Sequence, residues 1–194
     1  MIHNISLFVE DYAHQLVIGA LVQRIAEECT VDVHLDWRSA VEGHGKVIAE
    51  LKDYVRDLEQ LGSSRPDLII VATDSNCKGF NERRNEISRL DIHIPVVLAV
   101  PEPHIERWLL LDGAAFRAVF GHGCQAPDRK CIRELYKRKL IEAIHAAGHT
   151  PRIGGIEYAE AIVQHMDIDR AAQADDALRR FVEDLRNTFR GWQG

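Results

Sequence analysis

The stretch Leu68-Ile69-Ile70-Val71-Ala72-Thr73-Asp74-Ser75-Asn76 decides the fold. Its apolar residues run without interruption after Pro66-Asp67 and then give way to a hydroxyl, a carboxylate and an amide. An apolar run of this length offers water no polar face, so it reads as a strand covered on both sides, as in a parallel sheet. Asp74 follows at the carboxyl end, where open parallel sheets collect their chemistry. The start of the chain repeats the arrangement, with Ile5-Ser6-Leu7-Phe8-Val9 leading into Glu10. Each acid alone reads as an ordinary loop start; two at the ends of two buried strands form a candidate site for a divalent cation.

Outward from these strands, strand and helix alternate. Residues 12–28 place Leu16, Ala20, Leu21 and Ile25 on one helical stripe, with Asp11 at the N-cap position. Val31-Asp32-Val33-His34-Leu35 alternates with period two, as a strand with one more exposed face does. Residues 37–46 read as a loop. Its Gly43-His44-Gly45-Lys46 is not a phosphate-binding P-loop, because Ala40 stands where a glycine is needed and Val47 where a Ser or Thr is. Residues 47–61 form a helix with Val47, Leu51, Val55 and Leu58 inward, stopped by Gly62. A short helix is expected over 82–90, and a buried strand over 96–100 between Pro95 and Pro101.

Beyond His104 the chain reads as helical, over 105–120, 130–147, 155–165 and 175–188. This order predicts an α/β fold with a mainly parallel four-stranded, Rossmann-like sheet flanked by helices. Residues 1–120 make the core, and 121–194 a helical extension packed on it within one structural unit.

The chain has 194 residues, enough for one sizeable core. No apolar run approaches membrane-spanning length, and no basic patch followed by an apolar stretch opens the chain. Cysteines at 29, 77, 124 and 131 form no regular framework, which fits free thiols in a reducing cytoplasm. Cys124, Cys131, His145 and His149 offer thiolates and imidazoles, but the six residues between the cysteines exceed the spacing of ordinary zinc sites, and the four read as helix residues.

The net charge of −6 argues against a surface coated for nucleic acid. One segment runs the other way: Arg129, Lys130, Arg133, Lys137, Arg138 and Lys139 stand against Glu134 alone. Such a strip either holds a phosphate backbone or is a solvated helix face.

A glutamate after the first strand (Glu10), the acidic Asp74-Ser75-Asn76 after a later one, and the segment Pro101-Glu102-Pro103-His104-Ile105-Glu106-Arg107-Trp108-Leu109-Leu110-Leu111-Asp112 together resemble the TOPRIM fold. Within it, the chain is most similar to small standalone TOPRIM-like proteins of the DUF4276 type, relatives of the RloB and overcoming-lysogenization-defect nucleases. The resemblance implies Mg²⁺- or Mn²⁺-dependent cleavage of phosphodiester bonds in DNA or RNA, in bacterial anti-phage defence and beside an ATPase partner, and it leaves room for a homo-oligomer. It implies Glu10, Asp74 and Glu106 as catalytic residues, with Glu10, Asp74 and Asn76 as metal ligands and Glu10 alternatively as general base. Lys130 and Arg133 would contact substrate phosphate, and Trp108, Leu109 and Leu110 would pack the core. Asn76 stands where the pattern has a second aspartate, and an amide brings an oxygen without a charge. A non-catalytic interaction subunit that kept the fold is therefore the alternative.

Overall fold

The computed structural model describes residues 1–39, 43–61 and 65–193. Gly62, the expected stop of the second helix, lies outside them, as does Ala40. The elements are β1 (Ile2–Val9), α1 (Tyr12–Glu28), β2 (Asp32–Ser39), α2 (His44–Leu61), β3 (Leu68–Ala72), α3 (Phe80–Ser88), β4 (Val96–Ala99), α4 (Glu106–Leu109), α5 (Gly113–Phe120), α6 (Leu135–Ala146), α7 (Ala159–His165), α8 (Ile168–Ala174) and α9 (Asp176–Gly191). All pairings in the four-stranded sheet are parallel, in the order β2-β1-β3-β4. The expected α/β architecture with a helical C-terminal part is what forms.

Side-chain alternation divides the sheet between two cores. Ile5, Leu7 and Val9 of β1, with Leu68, Ile70 and Ala72 of β3, meet α1 and the C-terminal helices. Phe8, Ile69 and Val71 point the other way, onto Val47 and Leu51 of α2 and Ile87 of α3. All five residues of β3 are buried, which is why that strand carries no polar residue. The C-terminal helices complete the first core: Trp108 stacks on Phe181 with ring centroids 5.9 Å apart, and both side chains are buried. Among the described residues, no helix is long and apolar enough to cross a membrane.

The strand order places a switch point between β1 and β3. The chain leaves β1 for β2 on one side and leaves β3 for β4 on the other, so a crevice opens between the carboxyl ends of β1 and β3. Glu10 and Asp74 stand at that crevice.

Four local expectations change. The second strand runs on to Ser39 and the next helix starts at His44, so most of the expected 37–46 loop is regular structure. Residues 105–120 are not one helix, because Asp112 accepts the N–H groups of Ala114 and Ala115 and caps a new start. Residues 130–134 are not helical. Glu134 has a left-handed φ of 60°, and the buried Tyr136 hydroxyl takes the Lys130 N–H at 2.6 Å. Nor are all four cysteines free: Cys77 and Cys131 are paired, with Cα atoms 5.7 Å apart. Helix α8, which the periodicity does not announce, fills the turn before α9.

One buried ion pair fastens the C-terminal helices to the segment after β4. Asp175 caps α9 through the Leu178 N–H at 2.8 Å and also receives the Arg107 guanidinium. Asp175 is 5% exposed and Arg107 7%. Asp175→Ala removes the cap and leaves the guanidinium buried without its partner. A loss of about 3–5 kcal/mol is expected in denaturant unfolding.

Candidate functional site

Glu10 and Asp74 meet directly. Glu10 Oε2 accepts the Thr73 hydroxyl at 2.6 Å and the Asp74 backbone N–H at 2.9 Å. These bonds close the top of the crevice, one strand supplying the acceptor and the other both donors. Among the described residues Glu10 Oε1 accepts no hydrogen bond.

The Asp74 carboxylate is enclosed by donors. Oδ1 takes the Ile105 N–H at 2.9 Å, and Oδ2 takes His104 Nδ1 at 2.7 Å. His14 Nε2 lies 3.1 Å from Oδ1; this nitrogen makes no well-aligned hydrogen bond, so the contact is an ion pair held by charge. The other ring nitrogen, His14 Nδ1, donates to Asp11 Oδ1 at 2.8 Å. Asp11 also caps α1 by taking the His14 N–H at 2.9 Å, so the cap sets the position of the histidine.

An imidazole between two carboxylates is held as a cation. Burial pushes the His14 ring down, but the charge of Asp74 together with the bond to Asp11 and its charge outweigh it and raise it to about 10. Burial likewise pushes Asp74 up, and the charge of His14 with the His104 bond overcomes it to hold the carboxyl below its usual range. The Asp74 bond, against some burial, raises His104. Glu106 is half-buried beside this group, and burial first, then the Asp74 charge, push its carboxyl up.

A second chain of contacts reaches Glu10 from the opposite face of the sheet. The single proton of Thr73 Oγ1 goes to Glu10, so His44 Nδ1, 2.9 Å from that oxygen, is the donor between them. His44 Nε2 meets Glu86, which also faces the buried Arg83, and Arg83 Nε donates to the Asp74 carbonyl at 3.1 Å.

Of the residues expected at the site, Glu10 and Asp74 are in contact and Glu106 adjoins them. Asn76 is exposed, in a turn with φ 45°, and makes no hydrogen bond among the described residues. Lys130 and Arg133 are exposed on the irregular 130–134 segment. That segment runs past the site: Cys131 is paired with Cys77, Arg129 donates to Glu102 at 2.8 Å, and the Glu134 charge reaches His104. Cys131 is thereby removed from the zinc-like quartet. The half-buried Cys124 thiol, pushed up to about 11 by burial, faces the Leu110 carbonyl.

The TOPRIM resemblance implies Mg²⁺ or Mn²⁺ on Glu10, Asp74 and Asn76. Carboxylate oxygens are the right donors for such hard cations. Asp74, however, has one oxygen bonded to the Ile105 N–H and the other to the His104 ring, with the buried His14 imidazolium ion-paired beside them, and Asn76 stands in solvent. Among the described residues no three His, Cys, Asp or Glu side chains are placed to hold a metal ion. As arranged, the trio does not fit a divalent cation; Asp74 takes its positive charge from two histidines.

Sequence reasoning passed over His14, His44 and His104. For His14 a signal existed: it follows a capping aspartate by three residues, on the helix face that turns to the strand ends.

His14→Gln should cost about 3 kcal/mol at neutral pH, because it strips the charge from a buried pair. The histidine is raised when folded, so its contribution is complete below about pH 6.5 and lost as pH climbs through about 10. The native chain should lose melting temperature over that window, and His14→Gln should lose less. Asp11 is held at about 2 by the His14 hydrogen bond and charge, against burial, and Asp74 is also lowered. Their contribution is present above about pH 4 and fades as pH falls below it. Melting curves from pH 3 to pH 10 test both limbs.

Compared with known proteins, the chain matches no family model, no curated protein and no solved structure.

Proposed function

We propose that the chain is a TOPRIM-type phosphodiester hydrolase acting on nucleic acid. The observation that carries this reading is the convergence of Glu10, Asp74 and Glu106 with His104 at the switch point between β1 and β3. Glu10, fixed through Oε2, turns Oε1 to the water that attacks phosphorus and takes its proton. His104 is held through Nδ1 by Asp74 and offers Nε2 as a cationic donor to the phosphate. Glu106, raised and therefore ready to keep a proton, delivers it to the leaving oxygen. Lys130 and Arg133 track the neighbouring phosphates.

A second reading has its own observation. Asp74 is fully occupied and Asn76 exposed, as expected of an interaction subunit, partnering an ATPase, in which the fold outlived the chemistry.

Cleavage of single- and double-stranded DNA and RNA by the purified chain, with Mg²⁺, with Mn²⁺ and with a chelator, separates the two. Glu10→Gln and His104→Gln should each lower cleavage by about 100-fold or more while leaving the circular dichroism intact. Absence of cleavage under all three conditions favours the interaction subunit. Nucleic-acid binding should weaken steeply with salt, and replacing Lys130 and Arg133 together by alanine should flatten the double-logarithmic slope by roughly two. An unchanged slope makes the strip a solvated surface.

A further inference from the structure

Strand β2 ends the sheet with an edge that fits itself. It pairs with β1 along all eight residues, from Asp32 to Ser39, and among the described residues nothing pairs with its other side. A free edge of this length presents a row of unmatched N–H and C=O groups, and proteins usually shorten, bend or cover such edges. The opposite edge, β4, has four residues between Pro95 and Pro101. On β2, Val33, Leu35 and Trp37 lean toward α1 yet stay only partly buried. On the other face Asp32, His34 and Arg38 are exposed and Asp36 is partly so.

A two-fold axis perpendicular to the sheet, passing through Leu35, sets β2 antiparallel to its copy. Asp32 then lies opposite Arg38 and His34 opposite Asp36, each pair occurring twice. On the α1 face, Val33 meets Trp37 and Leu35 meets itself. Every charged position finds a complementary partner and every apolar position an apolar one. Moving the axis to His34 sets Asp32 against Asp36; moving it to Asp36 sets that aspartate against itself and His34 against Arg38. Directly opposed like charges are unfavourable across strands, so of these registers only the one about Leu35 is self-complementary. Such isologous pairing is the commonest way a chain closes on a second copy.

We propose that β2 is a homodimerisation edge. Two copies of this chain pair their β2 strands antiparallel about Leu35 and join their four-stranded sheets into one continuous sheet. The carboxyl end of β1, with its acidic site, stays clear of this joint, since β1 lies between β2 and β3 and the crevice opens on the β3 side. The inference rests on the edge and not on the hydrolase reading.

Sedimentation velocity of the full chain over a concentration series tests it. A concentration-dependent dimer is expected. Asp32→Arg or Arg38→Asp alone places like charges opposite one another twice per dimer and should weaken association by about tenfold or more. The two changes together restore complementarity and should bring association back to near the native value. A chain carrying Leu35→Cys should cross-link to its copy through that position under mild oxidation, as mass mapping of the linked peptide would show. Melting curves establish that each variant is folded. A chain that stays monomeric at every concentration overturns the proposal. So does a dimer that neither single change weakens, or a double variant no better than the singles.

Discussion

The structure depends on keeping one carboxylate charged where water scarcely reaches it. Asp74 sits at the end of a strand buried on both faces, and an ionised group there must be matched by donors and positive charge. Two separate parts of the chain supply them: His14 from α1, and the segment after β4 with the His104 ring and the Ile105 N–H. The same contacts that settle the charge therefore fix how α1, β3 and the post-β4 segment sit at one edge of the sheet. Asp11 extends the arrangement by capping α1 and holding the far side of the His14 ring.

Charge balance at this edge is built from imidazoles. A carboxylate cluster around a vacant position would be self-repelling, and each acid would be pushed toward its neutral form. Here repulsion is visible only at Glu106, whose carboxyl is pushed up by burial and by Asp74. Asp74 itself is lowered, because two ring cations outweigh its burial. Glu10 is tied down by Thr73 and the Asp74 N–H on one oxygen, and among the described residues its other oxygen accepts no hydrogen bond. The crevice thus holds one fixed carboxylate beside the imidazole-paired Asp74, the arrangement from which the hydrolase reading is proposed.

The C-terminal helices are part of the same core. Trp108, Leu109 and Leu110 leave the last strand and bury themselves against Phe181 and its neighbours, and Arg107 is matched by Asp175 at the start of α9. Packing on this side constrains the backbone from Pro103 to Asp112, and so the approach of His104 and Ile105 to Asp74. Stability and site geometry are linked through this short segment.

The linear sequence determined what depends on neighbours along the chain. Continuous apolar runs could only be two-faced strands, the helical stripe of α2 could only face inward, and Glu10 and Asp74 had to fall at carboxyl ends because polarity begins there. Period and polarity are local properties, so the four strands, their alternation with helices and the acidic pair were legible without coordinates. The break at Asp112 and the irregular 130–134 segment were not, since a capping carboxylate and the buried Tyr136 hydroxyl, which takes up the Lys130 N–H, overrode helical periodicity. Nor were the partners of Asp74, because His14 and His104 lie 60 and 30 residues away from it in the chain. Which imidazole meets a buried carboxylate is decided by strand order and helix docking. Only the folded chain, by bringing α1 and the post-β4 segment to the same edge, turned an acidic strand end into a paired and charged site.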